Sequence, residues 1–244
     1  MNKTKILIFN CAHCRGYNGS IAGYIFGWIR YCISPKRRDK AVSKAMADCI
    51  NRENPDICFI SELLAKSSFV DELRELFSFN CISMKYGDSW FKHLPFSGNH
   101  CNGFFANEQF PVLNRNFKYG IKRHLFDIEL SNNTSIFFSH LAVNRSTRTK
   151  QIEQIGDLNS KGVNMIMCGD FNIYGGLKEL DSLKKKYDFK IANTDSDKTF
   201  PSHKPRHILD VFLCSKDIDV HDVRVISSMQ LSDHLPIILE CSIP

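Results

Sequence analysis

An apolar run that ends abruptly in Gly169-Asp170-Phe171-Asn172 constrains the fold of this chain most strongly. The run before it fits only a buried strand, so Asp170 and Asn172 are delivered to the carboxyl end of that strand. Positions i and i+2 share one face of a strand, and open α/β sheets bind ligands at this edge. Asp and Asn are also common turn residues, so the pair taken alone is better explained as a simple strand-ending turn.

The same pattern recurs at three other places in the chain. Asn10 ends the run Lys-Ile-Leu-Ile-Phe, Glu62 follows Asp-Ile-Cys-Phe-Ile-Ser, and His140 follows Ser-Ile-Phe-Phe-Ser. Each run predicts a buried strand with a polar residue at its tip. A helix capped by Asp39 and running to about Asn54 is predicted between the first two strands, which makes the beginning of the chain a strand–helix–strand unit.

Further strands and helices are predicted downstream, and the chain becomes richer in strands after its first third. The predicted strands are 81–84, 102–107, 122–130, 134–141, 207–215 and 237–241, and the predicted helices are 69–77, a segment around 151–158, and 177–187. Asp210 lies inside the otherwise apolar run Ile-Leu-Asp-Val-Phe-Leu, where an unpaired carboxylate is costly to bury. His234, just before the last strand, is the predicted partner of Asp210.

Length and charge limit the classes of function. The 244 residues, 43% hydrophobic and 24% charged, can bury one large core or two layered halves of one. A single domain covering residues 1–244 is therefore expected. The formal net charge of +6 permits an anionic substrate or surface but is weaker than that of a dedicated nucleic-acid binder.

The cysteines and the N-terminus predict a cytoplasmic protein. Several of the ten cysteines lie inside apolar strand-like runs, where free thiols behave as small hydrophobic residues. The spacing of Cys11 and Cys14 matches half a zinc site, but no second half completes it in the sequence. No signal peptide is recognised after Met1, although export by a route without a signal peptide stays compatible with the sequence.

An aromatic and apolar insertion lies at residues 16–40. It is too short to span a bilayer, and it ends in Lys36-Arg37-Arg38. Residues 21–38 can therefore rest on an anionic membrane or a partner, with Tyr24, Phe26 and Trp28 as the contacting residues. The alternative, which the sequence favours, is a helix packed over one end of the sheet with a solvated basic tail.

Seven motifs taken together resemble the endonuclease/exonuclease/phosphatase superfamily and occur in the order of that family. They are Phe9-Asn10, Ile60-Ser61-Glu62-Leu63, Asn102-Gly103-Phe104-Phe105-Ala106-Asn107, Ser139-His140-Leu141, Gly169-Asp170-Phe171-Asn172, Ile208-Leu209-Asp210-Val211 and Ser232-Asp233-His234-Leu235-Pro236. The resemblance spans the chain from Lys5 to Cys241. It implies an α/β fold of four layers, an α/β sandwich in which two mixed sheets face each other with helices outside.

The resemblance also implies a role for each motif residue. Asn10 and Glu62, with Asp233 as a further ligand, are expected to hold Mg²⁺ or, alternatively, Mn²⁺, since such hard cations prefer oxygen ligands. Asp170 is expected to orient or deprotonate the attacking water, and Asp210 to hold His234 in a charged form that stabilises the transition state. The remaining expected contacts are with the substrate: His140 and Asn172 at the phosphate oxygens, and Asn102 and Arg148 as substrate-binding residues.

These expectations define one function and two alternatives. The expected function is a metal-dependent hydrolase, a nuclease or other phosphodiesterase, acting on a nucleic acid or a phospholipid-type substrate as a monomer. A phosphomonoesterase acting on a small or lipid phosphate is the first alternative. A non-catalytic binding module of the same fold is the second, and the complete set of polar strand tips argues against it.

Overall fold

The computed structural model describes residues 3–23, 25–26, 36–84, 99–121, 124–131, 133–158 and 163–244, with the backbone alone at 36–38. Its strands are β1 (Lys3–Asn10), β2 (Ile57–Leu64), β3 (Phe79–Met84), β4 (His100–Ala106), β5 (Val112–Asn116), β6 (His124–Ser131), β7 (Thr134–Ser139), β8 (Asn164–Asp170), β9 (Phe189–Ile191), β10 (Asp210–Ser215), β11 (Asp219–Val225) and β12 (Ile237–Ser242). Its helices are α1 (Lys36–Glu53), α2 (Ser68–Leu76), α3 (Arg145–Leu158) and α4 (Asp181–Tyr187), with short 3₁₀ turns at Ala12–Cys14 and Leu177–Leu180.

The strands form two mixed sheets of six strands each. The first sheet has the order β11-β12-β1-β2-β4-β3, and the second has the order β5-β6-β7-β8-β10-β9. The pairs β1–β2 and β7–β8 are parallel, whereas the neighbouring pairs β1–β12 and β8–β10 are antiparallel. Each sheet therefore has a parallel pair at its centre, and the four-layer α/β sandwich expected from the sequence is confirmed.

Alternating side chains of the central strands build the layers. In β1, Ile6 and Ile8 pack in the core between the sheets, whereas Leu7 and Phe9 pack beneath the helices of the first sheet. In β8, Ile166 and Cys168 face the inter-sheet core, whereas Met165 and Met167 pack with residues of α3 and α4. Successive side chains of a strand point to opposite faces, so an uninterrupted apolar run is what a strand covered on both faces requires.

Several sequence-based boundaries are corrected by the structure. Helix α1 begins at Lys36, so that Asp39 lies in its first turn and does not cap it. Strand β10 begins at Asp210, which is thus a strand end rather than an interior residue. Glu62 lies within β2 and not after it. The strands β5, β9 and β11 were missed because they are short or largely polar and carry little apolar periodicity.

The predicted membrane segment is only partly covered by the described residues. Tyr24 and Trp28 lie outside them, whereas Ile21, Ile25 and Phe26 are 81%, 61% and 58% exposed. Among the described residues, none of the helices combines the length and hydrophobicity that a membrane span requires.

Candidate active site

Strand ends from both sheets converge on Asp170. Asn10 is the last residue of β1 and Asp170 the last residue of β8, while His140 directly follows β7. The antiparallel register places Asp210, the first residue of β10, opposite Asp170. The Asn10 side chain donates from Nδ2 to Asp170 Oδ2 at 3.0 Å, which joins the two sheets at this point.

The carboxylate of Asp170 is buried and held from several sides. Its Oδ1 atom accepts a hydrogen bond from the backbone N–H of Asn172 at 3.0 Å. Two imidazole nitrogens face its Oδ2 atom, His140 Nε2 at 3.3 Å and His234 Nε2 at 3.8 Å. A carboxylate fixed in this way is oriented before any substrate arrives, which reduces the reorganisation needed during reaction.

His234 and Asp210 form the buried pair that the sequence predicts. His234 Nδ1 lies 2.7 Å from Asp210 Oδ2, and the same oxygen accepts a hydrogen bond from Thr199 Oγ1 at 2.6 Å. Burial by itself lowers the pKa of His234, but the charges of Asp210 and Asp170 and the Asp210 hydrogen bond outweigh it and raise that pKa to about 10. His234 is therefore cationic at neutral pH, and its Nε2 atom points toward Asp170.

Glu62 is presented by an irregularity in β2. The pairing of β2 with β4 shifts between Ile60 and Leu63, and Glu62 adopts a left-handed φ of 54°. β-Bulges redirect side chains beside active sites, and strained non-glycine backbone concentrates there. The Glu62 side chain is 23% exposed, and its two oxygens lie 3.8 Å from His13 Nε2 and 3.9 Å from His140 Nδ1.

Asn102 lies on β4 opposite this bulge. Its neighbours Cys101 and Gly103 pair with Leu63 and Ile60, the residues on either side of the irregularity. Asn102 is 2% exposed, and its Oδ1 atom has no hydrogen-bond partner among the described residues. A buried acceptor without a partner is costly, so this oxygen is suited to receive a bond from a ligand.

Asp233 borders the same site from the loop before β12. It is 7% exposed, and its Oδ2 atom accepts a hydrogen bond from the Tyr17 hydroxyl at 3.0 Å. Burial raises the pKa of the Asp233 carboxyl, and the charge of Glu62 adds to this rise, whereas the charge of His234 opposes it. The negative charge of Glu62 therefore reaches the Asp233 carboxyl group.

Two of the predicted substrate-contacting residues make hydrogen bonds within the protein. Asn172 donates from Nδ2 to the carbonyl of Leu141 at 3.0 Å, although it remains next to Asp170. Arg148 is buried in α3, and its guanidinium donates to Glu179 Oε2 at 2.6 Å and to the carbonyls of Val143 and Ala142. The structure does not bring Arg148 into the cluster around Asp170, and its contacts tie α3 to neighbouring loops.

Three residues that contact the site were missed by sequence reasoning. Thr199, Tyr17 and His13 reach Asp210, Asp233 and Glu62 respectively. Nothing in the sequence around Thr199 indicates that its hydroxyl binds Asp210. Neither Tyr17 nor His13 lies at the tip of an apolar run, so the signal that identified the other residues was absent.

Two groups of side chains at the site carry donor atoms that suit a divalent cation. Glu62, Asn10 and Asp233 offer the oxygen ligands of a hard cation, and the buried Oδ1 of Asn102 lies opposite the bulge that presents Glu62. One ligand atom from each of Asp170, Asp210 and His234 also lies within 4.8 Å of the others, so this buried group can hold a metal ion. The 2.7 Å contact between Asp210 and His234 is itself a hydrogen bond, which favours the Glu62 side of the site for a cation.

The sequence comparison agrees with this geometry. The sequence model described as the Endonuclease/Exonuclease/phosphatase family matches residues 7–234. The chain belongs to this family. Members of the family are metal-dependent phosphoesterases and nucleases. The search of curated proteins found no match.

Solved structures of family members share the fold at low sequence identity. An endonuclease/exonuclease/phosphatase from Beutenbergia cavernae is 12% identical with a TM-score of 0.70, over 100% of this chain and 72% of that one. TDP2 of D. rerio in complex with a single-strand DNA product is 15% identical with a TM-score of 0.67, over 100% of both chains. The mannosyl-6-phosphatase Bt3783 of Bacteroides thetaiotaomicron is 15% identical with a TM-score of 0.66, over 98% and 100% of the two chains.

Proposed function

We propose that this family member is a divalent-cation-dependent hydrolase of phosphodiesters that uses a water molecule as the nucleophile. The observation that carries the proposal is the buried arrangement in which Asp170 faces two imidazoles while one of them, His234, is hydrogen-bonded to Asp210 at 2.7 Å. A fixed carboxylate next to a cationic imidazole supplies a proton acceptor and a charge stabiliser at one site.

Each side chain has a definite task in this proposal. Asp170 orients the attacking water and accepts its proton, because its carboxylate is already aligned by Asn10 and by the backbone of Asn172. His234 donates from Nε2 to a phosphoryl oxygen and stabilises the negative charge that develops there. His140, whose Nε2 lies 3.3 Å from Asp170, contacts a second phosphoryl oxygen.

Glu62, Asn10 and Asp233 would hold the cation, with Mg²⁺ and Mn²⁺ as the expected ions. A divalent cation supplies Lewis-acid stabilisation of phosphoryl oxygens when it is bound. Asn10 is compatible with this role because its Nδ2 atom donates to Asp170, and its Oδ1 atom, which accepts one hydrogen bond from the backbone N–H of Ala12, keeps a second lone pair. The carboxyl groups of Glu62 and Asp233 supply the negative charge that a divalent cation requires.

A panel of substrates tests the proposal. DNA, RNA, sphingomyelin, phosphoinositides and simple phosphate monoesters are each incubated with Mg²⁺ or Mn²⁺, with a chelator as the control. We expect hydrolysis of at least one diester that stops with the chelator and falls by about 10²-fold or more in Asp170→Asn. Hydrolysis of monoesters alone would support the phosphomonoesterase alternative. No hydrolysis of any member would favour a binding module.

Exposed apolar residues in the segment after Tyr17 favour a lipid-type diester as the substrate. Ile21, Ile25 and Phe26 are largely exposed, and they belong to the segment that follows Tyr17, whose hydroxyl binds Asp233. Apolar side chains near a basic sequence favour contact with an anionic lipid surface. Co-sedimentation with vesicles containing an anionic phospholipid tests this. We expect binding at low salt that is lost when Ile21, Ile25 and Phe26 are replaced by Ser, and equal sedimentation of both proteins would contradict it.

A further inference from the structure

An unusual turn follows Asn10 and positions His13 beside Glu62. Ala12, His13 and Cys14 all have left-handed φ values, of 44°, 58° and 57°, although none of them is glycine. Consecutive non-glycine residues in this region are strained and persist only where surrounding contacts enforce them. Such an arrangement is expected where a side chain must be held in one particular place.

The contacts that enforce this turn come from the proposed cation ligands and their strand neighbours. The backbone N–H of Ala12 donates to Asn10 Oδ1 at 3.1 Å, and the N–H of Cys11 donates to the carbonyl of Ser61 at 3.0 Å. The Cys11 thiol contacts the carbonyl of Glu62 at 3.2 Å. The turn is therefore fastened to both β1 and β2 at the residues that present Asn10 and Glu62.

The result is an imidazole held over a carboxylate at a distance longer than a hydrogen bond. The His13 side chain is only 8% exposed, and its Nε2 atom lies 3.8 Å from Glu62 Oε2. Imidazole nitrogen and carboxylate oxygen each bind a transition-metal ion at about 2.0–2.2 Å, so two such atoms at this separation can share one ion. The His100 ring packs against the His13 ring with their centroids 4.1 Å apart, which fixes the plane of the imidazole.

We propose that His13 is a ligand of the cation held by Glu62, and that it makes this site selective for ions that accept nitrogen ligands. The inference rests on the proposed function, because it concerns the same cation. Imidazole suits Zn²⁺, Co²⁺ and Fe²⁺, whereas Mg²⁺ prefers sites made of oxygen alone. The site accordingly binds Co²⁺ more tightly than Mg²⁺.

Direct metal binding tests this inference without any substrate. Co²⁺, Mn²⁺ and Mg²⁺ are titrated into the chelator-treated protein by calorimetry, and the visible absorption of bound Co²⁺ is recorded. His13→Asn is the main variant, because Asn tolerates the left-handed backbone but replaces nitrogen by a carboxamide oxygen. We expect it to weaken Co²⁺ by about tenfold or more, to change the Co²⁺ spectrum, and to leave Mg²⁺ affinity nearly unchanged.

The controls separate this inference from the proposed function. His221→Gln removes an imidazole on β11, away from the site, and should leave the Co²⁺ titration unchanged. If Glu62→Gln abolishes binding of all three ions while His13→Asn binds Co²⁺ like the wild type, His13 is not a ligand and the proposed cation site stands. If Glu62→Gln binds all three ions like the wild type, the proposed cation site itself is wrong.

A measurement on the unchanged protein covers the case in which His13→Asn does not fold. Electron spin-echo spectroscopy of the Mn²⁺-loaded wild type detects coupling to an imidazole nitrogen bonded to the ion. We expect this coupling in the wild type and its loss in His13→Gln. A wild-type spectrum without nitrogen coupling would overturn the inference.

Discussion

His234 Nδ1 lies 2.7 Å from Asp210 Oδ2, and both side chains are almost completely buried. Neither group is stable alone in such a place, because a buried charge is costly unless it is paired and hydrogen-bonded. Thr199 completes the arrangement by donating to the same oxygen at 2.6 Å. The pair thus acts as one unit, with the charge of Asp210 sustaining that of His234.

A double-mutant cycle tests whether the pair acts as one unit in catalysis. We expect His234→Ala and Asp210→Asn each to lower turnover by about 10²-fold or more, since the first removes the imidazole and the second removes the charge that keeps it protonated. The double variant should be little worse than the worse single variant, because residues that act together have non-additive effects. Turnover numbers at saturating substrate provide the measurement, and losses that multiply fully would show that the two residues act separately.

The protonation of His234 can be measured directly. Its pKa of about 10 lies above the ordinary 6.5, so the imidazolium stabilises the folded state fully below about pH 6.5. That stabilisation is lost as the pH rises through about 10. Nitrogen NMR of the chelator-treated protein should show a doubly protonated His234 ring at pH 8. In Asp210→Asn the ring should be neutral at that pH, and an unchanged spectrum would mean that Asp210 does not sustain the charge.

Gly169 permits the close approach of β7 and β8 just before Asp170. It has a φ of +135°, and an added Cβ would lie 1.9 Å from the carbonyl oxygen of Ser139. We expect Gly169→Ala to lower the free energy of unfolding by at least about 3 kcal/mol, since both the backbone and the contact are strained. Urea unfolding gives the measurement.

The matched control for this change is Gly176→Ala. Gly176 also has a left-handed φ, of +83°, but nothing lies within 4 Å of an added Cβ. We expect Gly176→Ala to lower the free energy of unfolding by about 1–2 kcal/mol, because it strains the backbone without creating a close contact. If the two variants lose the same unfolding free energy, the structure around Gly169 has shifted to avoid the contact with Ser139, and the prediction is wrong.

His124 gives the protein an acid sensitivity that is independent of the active site. Burial lowers the pKa of this imidazole from 6.5 to about 4, so the unfolded chain binds a proton more readily than the folded protein between these pH values. Stability should therefore fall as the pH decreases from about 6.5 to about 4. In His124→Gln, the fall in unfolding free energy over this pH interval should be smaller by roughly 3 kcal/mol.

The measurement compares unfolding free energies of the variant and the wild type at several pH values. His221→Gln is the control, because the His221 side chain is 30% exposed. If the difference in unfolding free energy between the wild type and His124→Gln stays constant across the pH range, His124 is not the cause of the acid sensitivity.

The sequence alone determined the strands that carry the site and the order of its motifs. The runs before Asn10, His140 and Asp170 are apolar with little interruption, which is the pattern of a strand covered on both faces. Strands of that kind lie at the centre of a layered α/β fold. The partner of Asp210 was also predictable, because a carboxylate beside a buried strand requires one and His234 was the suitable group.

Only the tertiary structure decided how the side chains between these strands are directed. The bulge that presents Glu62 depends on pairing with β4, a strand about 40 residues away in the sequence. The left-handed turn at His13 is held by Asn10 and by the backbone of Ser61 and Glu62. Arg148 was expected at the substrate, yet Glu179 draws it into a structural ion pair. Local sequence determines whether a segment is buried. The direction of each polar side chain depends on contacts between distant segments, because a buried polar group needs a hydrogen-bond partner and distant segments supply it.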